Sequence, residues 1–101
     1  MRFPVRVLVT TAASLLAIGA NASDLAKVRS LAASCANCHG TNGVAQPGMV
    51  SLAGQPKDLL LSNLMDFKSG KRPATIMHQL AKGYTDEQLA QMATYFASQK
   101  P

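Results

Sequence analysis

Both cysteines of the chain and one of its two histidines fall in a single five-residue run, Cys35-Ala36-Asn37-Cys38-His39. If that run is helical, Cys35, Cys38 and His39 stand at i, i+3 and i+4 and share one face. The rest of the chain must then fold around whatever those three side chains hold. Gly40 follows at once, so the backbone can leave that face with no Cβ in the way.

Cys-x-x-Cys-His is the sequence at which haem c is attached, through two thioether bonds from the cysteines and iron coordination from the histidine. Other uses compete with it. A redox-active dithiol calls for a strand leading into a helix, and no strand pattern precedes Cys35. A disulfide between Cys35 and Cys38 would close too short a loop to add much stability. A zinc site would need a fourth ligand, for which His78 is on offer.

With 101 residues, 48% of them hydrophobic, the chain has room for one small domain. Part of that length reads as a leader. Arg2 and Arg6 precede an uncharged run from Val7 to Ala20, and Ala20-Asn21-Ala22 has the form of a cleavage site. This pattern predicts a secretory signal peptide over 1–22 and a domain over 23–101, exported to the periplasm, where a c-type haem is attached. A retained membrane anchor would need about 20 apolar residues, whereas Thr10, Thr11 and Ser14 interrupt this shorter run. Residues 23–101 are few for a self-sufficient core. A covalent apolar group at the centre would supply what the composition lacks.

Periodicity predicts an all-α domain of four to five short helices. Ser23 or Asp24 can cap a first helix whose stripe is Leu25, Val28, Ala32 and Cys35. From Gly40 to Gln55, four glycines and Pro47 argue for a loop with no regular element. Pro56 opens a second helix over 57–69, closed by Gly70. After Arg72-Pro73, residues 74–82 suit two short helical turns that stop at Gly83. In the last helix, Thr85 and Gln88 form a capping box, Tyr84 and Leu89 a hydrophobic staple, and Leu89, Met92, Ala93 and Phe96 the apolar stripe.

What an iron held by His39 can do depends on its sixth ligand: a thioether raises the potential, a second imidazole lowers it, and an open position invites ligand chemistry. Met65 and Met92 fall in apolar stripes and suit packing. Met77 between Pro73 and Gly83, Met49 in the loop and the imidazole of His78 are the candidates. Without the leader the chain has eight Lys and Arg against five acids, a charge of +3. Lys57, Lys68, Lys71, Arg72 and Lys82 are placed to meet an acidic redox partner or to be an ordinary solvated surface. With no dense basic run and no aromatic interleaving, nucleic acid is not a partner the sequence supports.

The stretches CANCHGTNG (35–43), SLAGQ (51–55), DFKSGKRP (66–73), TIMHQLAKGYTDEQL (75–89) and MATYFASQ (92–99) resemble class I c-type cytochromes of the bacterial periplasm. Through IMHQLAKGYTDEQLA the chain is especially similar to the cytochrome subunits of flavocytochrome c sulfide dehydrogenases. The resemblance implies the class I fold around one covalent haem c, with Cys35, Cys38 and His39 carrying it and Met77 as the distal iron ligand. It also implies a single-electron carrier that is not itself a catalyst. Such a carrier serves either as a subunit accepting electrons from a sulfide-oxidising flavoprotein, or as a diffusing cytochrome donating to a terminal oxidase or reductase. A haem protein that binds small ligands or turns over peroxide is the reading from another class, and it requires an open sixth position. One departure stands out. Val50 occupies the place where the family has a proline whose carbonyl holds the proximal histidine, so the carbonyl is retained in a less rigid loop.

Overall fold

A computed structural model describes residues 17–101, and their side chains from Asp24 onward. The basic start and most of the apolar run of the expected signal peptide lie outside those residues. Four α-helices and no strand occur among the described residues: α1 (Ala17–His39), α2 (Lys57–Ser69), α3 (Met77–Lys82) and α4 (Asp86–Ala97).

α1 begins before the expected start at Ser23 or Asp24. Residues 17–22 contain three alanines and no proline, and extending an existing helix by one residue costs far less than nucleating a new one. A serine or aspartate caps a helix only where the preceding chain is not helical. The stripe on α1 packs from Val28 onward: Ala32 is buried, Val28 and Cys35 are half-buried, and Leu25 is exposed.

The helix runs on through the Cys-x-x-Cys-His turn and ends at His39. Gly40 makes that exit with φ +83°, and a Cβ there would lie 1.8 Å from the carbonyl oxygen of Val44. A single 3-10 turn follows at Thr41–Gly43, within the segment expected to hold no regular element. It forms because Asn42 accepts a left-handed φ of 57°, which Asn tolerates better than most residues. Gly43 then packs against the Phe96 ring, which a Cβ would approach to 2.8 Å. Its carbonyl accepts from the N–H groups of Leu52 and Ala53, and the N–H of Gly54 donates to Phe96 O at 3.0 Å, so the loop closes on itself and on α4.

α2 starts after Pro56 and stops at Gly70 (φ 83°), matching the sequence signals. α3 is shorter than the expected 74–82 because its helical geometry begins at Met77; Ile76 still has φ −136°. Thr75 and Ile76 are β-branched and follow a proline, so both lose side-chain freedom in a helix that has no earlier turn to join. α4 has the expected capping box, with the Gln88 N–H donating to Thr85 Oγ1 at 3.1 Å and the Thr85 N–H donating to Gln88 Oε1 at 2.9 Å. Lys68 Nζ donates to Tyr84 O and to Asp86 Oδ1, each at 2.8 Å, tying the end of α2 to the start of α4. Thr85→Ala should cost about 1 kcal/mol. Urea unfolding should then show a lower midpoint with an unchanged slope.

The packed centre is thin. Ala32 of α1, Leu60 of α2 and Ala93 and Phe96 of α4 form the buried cluster, flanked by half-buried Leu52, Leu61 and Leu64. α2 packs on α3 and α4, and α1 on α4. Tyr95 OH donates to Asn42 Oδ1 at 2.9 Å and clamps the 3-10 turn to the last helix.

Candidate functional site

The last turn of α1 faces the first residue of α3 across the centre of the fold, with an apolar cleft on either side. Cys35, His39, Leu64, Met77 and Met92 line both clefts. The first, of about 210 Å³, is completed by Val50, Leu52, Leu60, Phe67 and Phe96, with Gln55, Asn63 and Arg72 as its polar groups. The second, of about 140 Å³, adds Cys38, Met49, Ile76, Leu80 and Leu89. Met49, Val50, Ile76 and Leu80 leave 40–64% of their surface exposed at these walls. Large apolar side chains exposed together around one concavity mark a place that something apolar covers.

His39 has a fixed orientation. Its Nδ1–H donates to Val50 O at 2.7 Å. A carbonyl can only accept, so Nδ1 carries the proton and Nε2 keeps its lone pair free for a metal. The carbonyl role expected at Val50 is therefore filled without the proline. Neighbouring bonds hold the loop instead: Ser51 Oγ accepts from the Ala45 N–H at 2.9 Å, and the Met49 N–H donates to Gln46 O.

Both thiols are free, Cys35 half-buried and Cys38 exposed. Burial pushes the Cys35 thiol up, a hydrogen bond with Ser34 pulling it the other way. A redox-active thiol needs a depressed pKa, so the dithiol reading loses support. Among the described residues no group of three or more His, Cys, Asp or Glu side chains is arranged to hold a bare metal ion. His78 lines neither cleft, and its Nδ1 is buried without a hydrogen-bond partner. Met49 reaches only the second cleft, and Met65 lines neither.

Sequence reasoning missed two things here. Met92, read as packing, is buried and also walls both clefts. Arg72, grouped with the outer lysines, lines the first cleft together with Asn63. A guanidinium three residues beyond the end of an amphipathic helix carries no sequence signal of which way it turns.

A thioether, an imidazole with a free Nε2 and two thiols around a pair of apolar clefts fit a flat apolar macrocycle with a central iron. An all-helical fold of this kind defines a class I c-type cytochrome, an electron-transfer protein. Residues 25–100 match the family model for cytochrome c, and the chain belongs to that family, whose cofactor is haem c.

The chain is 41% identical over 68 residues to the cytochrome subunit of sulfide dehydrogenase of Chlorobaculum tepidum, covering 67% of this chain and 62% of that protein. It is 42% identical over 80 residues to cytochrome c4 of Pseudomonas aeruginosa, covering 78% and 40%. The solved cytochrome c4 of Acidithiobacillus ferrooxidans superposes with a TM-score of 0.68 at 28% identity, over 72% of this chain and 48% of that one. The chain thus spans between 40% and 62% of the length of these three proteins.

Proposed function

We propose that this chain carries single electrons in the periplasm by means of one haem c bound through thioethers to Cys35 and Cys38, with His39 and Met77 as the iron ligands. The observation that carries this reading is that one Cys-x-x-Cys-His turn and Met77 line both faces of the same apolar space. Bound there, haem supplies a one-electron Fe(III)/Fe(II) couple.

The chain's own residues set the conditions for that couple. Val50 O fixes the His39 tautomer and makes the imidazole a stronger donor. As an iron ligand the Met77 thioether would favour the reduced state and leave no position open, which suits electron transfer over ligand binding. Leucine, methionine and phenylalanine walls exclude water and favour the less charged state of the iron. Residues 1–22 act as the export signal and are removed, leaving 23–101.

The partner is a redox protein. The name of the Chlorobaculum relative favours a cytochrome subunit of a sulfide dehydrogenase, and the resemblance of the IMHQLAKGYTDEQLA stretch makes the electron donor a flavoprotein. A cytochrome that diffuses between membrane complexes and a terminal acceptor is the second reading, and the family assignment fits it equally. Purification of the native protein under mild conditions, followed by one absorption spectrum, separates them. Haem together with flavin supports the subunit, haem alone supports the carrier, and a spectrum without haem ends both.

A further inference from the structure

α3 carries Met77 at its first position, yet it is six residues long, and among the described residues none of its side chains is hydrogen-bonded to another element. What holds it is packing on α2 and the buried Ala81. A helix of that length has little stability of its own, so its position depends on how its ends are tied.

One such tie is Tyr84, two residues beyond Lys82. Its N–H donates to Ala81 O at 3.3 Å, and its carbonyl accepts from Lys68 Nζ of α2 at 2.8 Å. Its hydroxyl shares a hydrogen bond with the hydroxyl of Ser34 on α1, fifty positions away in sequence. Three helices are thus linked through one residue. Ser34 is the neighbour of Cys35, and Ser34, Cys35, Met77 and Tyr84 all line the second cleft. Tyr84 and Leu89 share that cleft, so a hydrophobic staple accounts for the tyrosine ring. It leaves the hydroxyl without a use, since phenylalanine would staple equally well.

We infer that Tyr84 is a positioning residue for the distal ligand: its hydroxyl, bonded to Ser34, latches the segment carrying Met77 to the helix carrying Cys35, Cys38 and His39, and so slows the departure of Met77 from the iron. This rests on the haem and Met77 reading above. Local opening that carries α3 away from α1 breaks the Ser34 bond, so the closed state keeps a stabilising contact that the open state lacks. Ser34 is exposed, and water competes for its hydroxyl. The effect therefore falls toward the lower end of what one hydrogen bond contributes.

The test is the rate at which excess imidazole binds the ferric holoprotein. Imidazole can reach the iron only after Met77 has left, so the limiting rate at high imidazole reports that departure. Tyr84→Phe should raise the limiting rate about threefold, and amide exchange across α3 should quicken with it. Ser34→Ala should raise it by the same factor, and the double variant by no more than either alone, because the two changes delete one bond. Tyr95→Phe is the control. It removes a hydroxyl that bonds to Asn42 in the 3-10 turn, and it should lower the melting temperature while leaving the imidazole rate at the wild-type value. A wild-type rate in Tyr84→Phe would overturn the inference. So would additive effects in the double variant, which would mean that the two hydroxyls act separately, and so would an equal acceleration in Tyr95→Phe, which would mean general loosening. Should Tyr84→Phe fail to accumulate, Ser34→Ala at its exposed site decides by the same rate. A wild-type protein without haem, or with its sixth position open, shows this in its spectrum before any rate is measured; that result overturns the Met77 reading and the latch together, whereas a failed latch leaves Met77 in place.

Discussion

Replacement of Met77 by alanine should turn a low-spin haem into one that binds carbon monoxide readily once reduced, and should lower the reduction potential. Met77 is the first residue of α3 and the one methionine outside the buried core that lines both clefts. Truncation leaves no substitute at hand. Met49 reaches only the second cleft from an exposed loop position, and His78 lines neither. Met92 is 2% exposed within the packed face of α4, where moving its sulfur would open the core. Axial-ligand identity is the largest lever on haem potential. The equilibrium constant for reduction should therefore fall at least about tenfold, roughly 59 mV for one electron. Truncating Met77, which is half-buried beside the clefts, also costs stability, up to about 2 kcal/mol. Met49→Ala is the control and should leave the spectrum as it is. An unaltered spectrum in Met77→Ala would remove that residue from the iron and turn attention to Met49 or His78. A wild-type protein already high-spin and open to carbon monoxide would favour ligand chemistry over electron carriage.

The parts of this fold that sequence could reach are those whose causes are local. Thr85 and Gln88 exchange hydrogen bonds across three residues, so the start of α4 is written in one short window. Pro56 and Gly70 bracket α2 for the same reason: each fixes or frees its own φ. The ends that moved depend on what precedes them. α1 runs back through an alanine-rich stretch that Ser23 cannot interrupt, and α3 waits until Met77 because two β-branched residues follow Pro73. The site divides along the same line. Spacing alone places Cys35, Cys38 and His39 on one turn, whereas the hydrogen bond from His39 to Val50 joins residues eleven positions apart and depends on how the loop closes on Gly43 and Phe96. Arg72 was the least legible of all. Whether a basic side chain turns toward solvent or lines a cleft is set by Asn63 and Phe67, nine and five positions back on α2, whose own directions follow from the packing of that helix.

Removing both cysteines of the proposed haem attachment, in Cys35→Ala/Cys38→Ala, should cost the protein its fold as well as its cofactor. Among the described residues the buried apolar side chains larger than alanine are Leu60, Leu89, Met92 and Phe96. Burial of each contributes about 1.5–3 kcal/mol, and domains of this size seldom hold together on such a core without a staple. The two clefts lie between the helices that would have to meet: the end of α1 and Leu52 on one side, α2 and the start of α3 on the other. Without a flat apolar group between them those walls stay wet, and α3, at six residues, has no helical stability of its own to fall back on. Far-UV circular dichroism of the double variant should show most of the helix signal gone and no cooperative thermal transition. With the attachment proposed above, either single variant would keep one covalent bond, so it should retain haem through denaturation and remain folded at a lower melting temperature. A double variant with native helix content and a cooperative melt would mean that α1, α2 and α4 can close over the clefts by themselves. Haem would then be a passenger in a fold that Leu60, Leu89, Met92 and Phe96 already hold.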